Sequence, residues 1–139
     1  MRLTLVLFAV LSAFACLGAR VTVLFTNDVH AHIDDGNVSY GQIAAYRDSL
    51  RENDESTILV DAGDYIQGSA FGKIDRGASV IDIMNAAGYQ AATIGNHEFD
   101  YGIPLLLSMI RSRCRFPVVA CNFWMTNTVA NTHERVLPA

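Results

Sequence analysis

Four short apolar runs, at residues 21–25, 57–60, 91–94 and 117–121, are separated by stretches whose apolar residues recur at helical spacing. Strands that alternate with helices join through right-handed crossovers into a parallel sheet. The chain is therefore expected to be α/β, a largely parallel sheet with βαβ crossovers in the order β-α-β-α-β-α-β. A helix is expected over residues 42–52, with Ile43, Tyr46, Arg47 and Leu50 on one face. A Gly-rich loop at 63–77 leads to a second helix at 80–87. It opens on Ser79-x-x-Asp82, a capping-box variant, and closes at Gly88. A third helix takes Pro104 at its first position, where the missing N–H costs nothing, and ends near Ser112. The tail at 123–139 shows no clear periodicity.

The polar residues that end the first three runs carry the chemistry. They are Asp28-Val29-His30, Asp61-Ala62-Gly63-Asp64 and Gly95-Asn96-His97-Glu98-Phe99-Asp100. In open parallel sheets, sites lie outside the carboxyl ends of the strands. In an extended or turning backbone Asp28 and His30 lie on one side and can converge on one cation. Gly63 permits a tight turn before Asp64, whose two oxygens can bridge two cations. Asn96 offers a carbonyl oxygen to the second cation. His97, its neighbour, is expected to point elsewhere, with Asp100 near enough to hydrogen-bond the ring and favour the imidazolium. These ligands describe a two-metal hydrolase, with His97 and Asp100 as its acid or electrostatic clamp. Oxygen and nitrogen donors without thiolates suit two divalent ions of Mn, Zn, Fe or Co. Asp61 is expected to brace the Gly63 turn, and His32 and Asp34 to be polar loop residues. Asn122 reads equally as a neighbour of the site or a turn residue, while Phe123 and Trp124 are expected to pack under the sheet.

Length and charge bound this reading. The 139 residues suit one domain, and a net charge of −4 without Lys/Arg runs argues against a nucleic-acid polymer as partner. A phosphate substrate needs no basic protein when bound metals supply the positive charge. Residues 1–19 read as a signal peptide: Arg2 is the basic start, 3–14 the apolar stretch and 15–19 the small-residue exit. This implies export, periplasmic or secreted. Left uncleaved, the same stretch would anchor the chain to a membrane, although it is short for a span. The domain proper is then 20–139. Cys114 and Cys121 flank an extended stretch that holds them too far apart to bridge, so both are expected to be buried free thiols.

Taken together, the motifs resemble those of the calcineurin-like metallophosphoesterases, in particular the N-terminal part of the 5′-nucleotidase family. The matching residues are Thr26-Asn27-Asp28-Val29-His30, then Asp61-Ala62-Gly63-Asp64 with Gln67-Gly68-Ser69. Gly95 through Gly102 and Ala120-Cys121-Asn122 complete the match. The resemblance implies that Asp28 and His30 hold the first metal, Asp64 bridges, Asn96 holds the second, and His97 with Asp100 forms the catalytic dyad. It also implies hydrolysis of nucleotide phosphate monoesters by metal-activated water, without a covalent intermediate. The family completes its metal site with later histidines, usually in a Gly-His-x-His motif, and carries a C-terminal domain for the leaving group. His133 is the sole later histidine here, and Thr132-His133-Glu134-Arg135 does not match. The chain is thus expected to be a fragment, half of the α/β sandwich. The other readings are a non-catalytic remnant and a related hydrolase of cyclic nucleotides, UDP-sugars or sulfur esters.

Overall fold

A computed structural model describes residues 21–34, 38–53, 56–127 and 132–135, with 125–127 and 132–135 described by backbone alone. The expected signal peptide lies outside the described residues. The first strand, β1 (Val21–Thr26), pairs in parallel with β2 (Ser56–Asp61), from Val21 opposite Ser56 to Thr26 opposite Asp61. β3 (Ala91–Thr93) joins β2, and β4 (Val118–Val119) joins β3, both again in parallel. The sheet order is β1-β2-β3-β4, so each strand lies beside its predecessor. Crossovers of one hand between successive neighbours, all moving the same way across a sheet, put their helices on the same face. Burial follows that rule. Thr57, Leu59 and Asp61 of β2 are buried, while Val21, Val23, Phe25 and Ile58 on the opposite face are exposed.

The helices are α1 (Tyr40–Glu52), α2 (Ala70–Ile74), α3 (Ala78–Ala87) and α4 (Ile103–Ser112), with a 3-10 turn at His97–Phe99. α1 starts two residues earlier than the spacing predicts because Ser39 caps it. The Ser39 hydroxyl accepts from the Gln42 N–H at 3.2 Å, and Gln42 Oε1 accepts from the Ser39 N–H at 2.9 Å. Its inward face carries Tyr40, Ile43, Ala44 and Arg47, whereas Tyr46, expected inside, is exposed. The Gly-rich loop contains α2, capped by Ser69. α3 begins at Ala78, so Ser79 lies within the helix and caps nothing. Its N–H and hydroxyl both donate to Asp75, which takes the capping role expected of Ser79, and Asp82 pairs with Arg113 at 2.7 Å. Gly88 closes α3 at φ 74, as expected.

Pro104, expected at the first position of α4, is its second residue, because the helix begins at Ile103. The tail forms an antiparallel hairpin, β5 (Trp124–Asn127) with β6 (Thr132–Arg135), which the lack of periodicity did not foretell. Phe123 packs edge-on against Phe99 at 5.3 Å, while Trp124 is exposed and not under the sheet. Both cysteines are free. Cys114 is half-buried, which pushes its thiol up to about 11, but Cys121 is exposed, contrary to expectation. The core between sheet and helices is built on Leu59, Tyr65, Ile66, Val80, Ile81 and Met84.

Candidate functional site

The loops that leave β1, β2 and β3 meet at the carboxyl edge of the sheet. Backbone hydrogen bonds stitch the first to the second: Asp28 N–H to Gly63 C=O at 3.1 Å, His30 to Asp64 at 2.9 Å and Ala31 to Tyr65 at 3.0 Å. This pairing holds Asp28, His30 and Ala31 at φ 53, 51 and 58, and Asp64 at φ 61. Left-handed conformations cost a non-glycine residue on the order of 1–2 kcal/mol, so four of them in two touching loops need many fixed contacts. The second and third loops touch through glycines. A Cβ on Gly63 would stand 2.7 Å from the Gly95 nitrogen, and one on Gly95 would overlap Asp64 Oδ1.

Two histidines come together in this corner. The Nδ1 of His30 lies 3.1 Å from the Gln67 carbonyl oxygen. A carbonyl only accepts, so Nδ1 carries the proton and Nε2 keeps a lone pair for a cation. Asp28 reaches the same ring, its Oδ1 3.7 Å from His30 Nε2, and stays exposed. His97 donates its backbone N–H to Asp64 Oδ1 at 2.8 Å, and its Nδ1 lies 2.7 Å from Asp100 Oδ2. The Asp100 hydrogen bond raises the His97 pKa above its ordinary 6.5. The two imidazoles stand edge to face, centroids 5.0 Å apart.

One ligand atom each from His30, Asp64 and His97 falls within 4.8 Å of the others. Two imidazoles and a carboxylate at that spacing are a donor set that fits a divalent transition ion. The ring of His97 thus faces His30 and Asp64, although its place beside Asn96 suggested that it turns away. Asn96 is exposed at the head of the 3-10 turn.

The supporting residues sort by what they touch. Asp61 braces the turn as expected: Oδ1 accepts from the Gly63 N–H at 2.7 Å and Oδ2 from the Thr26 hydroxyl. Burial pushes its pKa up to about 6 against those two hydrogen bonds. His32 and Asp34 are exposed in the loop, and Asn122 lies in an exposed turn after β4.

Sequence reasoning passed over Glu98. It is 1% exposed, and its carboxylate accepts four backbone N–H groups, from Asp64, Tyr65, Ile66 and Gly95. A signal was present in the spacing, since a Glu three residues after a turn-opening residue can reach back to that residue's N–H, as Glu98 does to Gly95.

The sequence model of the calcineurin-like phosphoesterases matches residues 21–135, and the chain belongs to that family. A snake venom 5′-nucleotidase of Gloydius brevicauda is 34% identical over an alignment 132 positions long that covers 86% of this chain and 22% of that protein. The 5′-nucleotidase of Homo sapiens is 33% identical over an alignment 116 positions long that covers 74% of this chain and 20% of that protein. Among solved structures, a 5′-nucleotidase precursor from Thermus thermophilus matches with a TM-score of 0.66 at 29% identity. That match covers 73% of this chain and 22% of the other. The chain spans about a fifth of the length of the curated relatives it matches.

Proposed function

We propose that this chain carries the N-terminal part of a two-metal phosphomonoesterase centre for nucleotides. The convergence of His30, Asp64 and His97 within 4.8 Å is the observation that carries the reading. Asp28 and His30 would hold one cation and Asn96 the other, with Asp64 shared between them; Mn, Zn, Fe or Co would suit these oxygen and nitrogen donors. Bound cations would polarise the phosphoryl oxygens and the attacking water. His97, with its ring oriented and kept basic by Asp100, contributes a proton or a positive charge at the phosphoryl group or leaving oxygen. The nucleotide class is supported by relatives named 5′-nucleotidase.

An exported protein is the matching location, supported by the pattern of residues 1–19 and by a venom relative. Among the described residues no helix is long and apolar enough to cross a membrane.

The proximity of the His97 ring to His30 favours a second role for His97, as a metal ligand. Mn²⁺ calorimetry alongside AMP hydrolysis separates the two. As a proton donor, His97→Ala lowers turnover by roughly 10²–10⁴-fold and leaves metal affinity near that of the unaltered chain. Asp64→Ala loses both. Metal lost in step with activity in His97→Ala makes His97 a ligand. A metal-loaded chain that never turns over AMP removes the activity from this chain.

A further inference from the structure

We infer that Glu98 is the positioning residue of this centre: its buried carboxylate locks the turn after β2 to the turn after β3 and so sets where Asp64 and His97 stand relative to His30. Only the metal readout below rests on the proposed metal centre; the geometry does not. Oε2 accepts from Asp64 N–H at 2.8 Å and Gly95 N–H at 2.6 Å, and Oε1 from Tyr65 at 2.9 Å and Ile66 at 3.2 Å. A carboxylate has about four lone-pair sites and no donor, so backbone amides from two loops fill it completely.

The consequence falls on two side chains that Glu98 does not touch. Asp64 sits at φ 61 and needs its N–H held to stay there. On the other side, the Gly95 N–H is anchored two residues before His97, whose own N–H holds Asp64 Oδ1 at 2.8 Å. Glu98, Asp64 and the Gly95–His97 turn therefore form a closed loop of hydrogen bonds, and opening it at Glu98 releases both ligand candidates.

Glu98→Gln tests charge with shape kept. Each oxygen of Glu98 serves two N–H donors, so the amide NH₂ opposes two donors whichever way it turns. The first readout, in the metal-free chain, is the nuclear Overhauser contact between the His30 and His97 rings, whose centroids are 5.0 Å apart. It is expected in the unaltered chain and lost in Glu98→Gln, with the spectrum away from the two turns unchanged. The second is Co²⁺ affinity, expected to weaken by about 10–100-fold, as for residues that orient metal ligands.

A folded Glu98→Gln chain that keeps the ring contact and the Co²⁺ affinity overturns the inference. A chain that shows the ring contact and its loss, but binds no Co²⁺ in any form, overturns the metal centre and leaves the positioning role standing. If Glu98→Gln does not fold, Glu98→Asp, which keeps the charge but withdraws the oxygens by one methylene, carries the same expectations. Independently of any variant, rapid hydrogen exchange at the amides of Asp64, Tyr65, Ile66 and Gly95 in the unaltered chain overturns it.

Discussion

Asp61 shows how a residue beside the site trades stability for architecture. Its carboxyl is buried, and burial raises its pKa from 3.8 to about 6 although Thr26 and Gly63 hydrogen-bond the ion. A group with a folded pKa above its unfolded one stabilises fully below the unfolded value and loses that contribution as pH rises through the folded value. Stability should therefore fall between pH 3.8 and about 6, by roughly 3 kcal/mol at most from this group. Asp61→Asn can still accept from the Gly63 N–H and can donate to the Thr26 hydroxyl, which then donates to Tyr89 Oη, 2.8 Å away. Urea unfolding at several pH values should show the decline in this window flattened in Asp61→Asn. An unchanged slope would mean that another group causes it.

Asp28, His30, Asp64, Asn96, His97 and Asp100 were singled out because polar ligand types follow apolar runs where a parallel sheet puts its sites, and the structure brings ligand atoms of three of them, His30, Asp64 and His97, within 4.8 Å of one another. Glu98 was not. A buried carboxylate is costly unless hydrogen-bond donors surround it, and three of its four donors lie more than thirty residues earlier in the chain. The direction of the His97 ring was equally hidden, since the hydrogen bond that fixes its backbone comes from Asp64.

At the scale of elements, the four strands of the sheet were read from their apolar runs, whereas the β5–β6 hairpin and the helix starts were not. An apolar run marks a strand by itself, but α1 begins where Ser39 and Gln42 exchange hydrogen bonds, a pair outside the apolar pattern. Tyr46 fits a helical spacing yet faces solvent, because the inward stripe passes through Tyr40, Ile43 and Arg47. The burial of Arg47 has a local cause: its guanidinium donates to the Ala87 carbonyl, one of the free acceptors at the end of α3. Gly88 follows at φ 74, and a Cβ there would overlap Arg47 Nη1. Gly88→Ala should thus cost the left-handed penalty of about 1 kcal/mol plus the displacement of Arg47. In an Arg47→Leu background the displacement vanishes and the conformational penalty remains. Chemical denaturation of the four chains measures the coupling. Equal costs of Gly88→Ala in both backgrounds would show that the arginine does not confine the glycine.

For the whole molecule, the decisive fact is that, among the described residues, helices cover only one face of the sheet. Parallel strands are apolar on both sides because both sides are normally covered. Here the helices crowd onto one face, and the other presents Val21 at 52%, Val23 at 55%, Phe25 at 72% and Ile58 at 37% exposure. These side chains sit on β1, the edge strand of the sheet among the described residues, and on its neighbour β2. A contiguous apolar face beside an open edge favours strand-to-strand association between copies. The isolated chain should therefore bind a hydrophobic dye while folded and sediment as larger species with rising concentration. Placing lysine at both Val23 and Phe25 should suppress both signals. Because these side chains are mostly exposed, the folded state should lose little, about 0.5 kcal/mol for each substitution. Sedimentation velocity with denaturation on the same variant decides the matter. If association persists at unchanged stability, the contact lies elsewhere on the molecule; if stability collapses, the face is covered in solution.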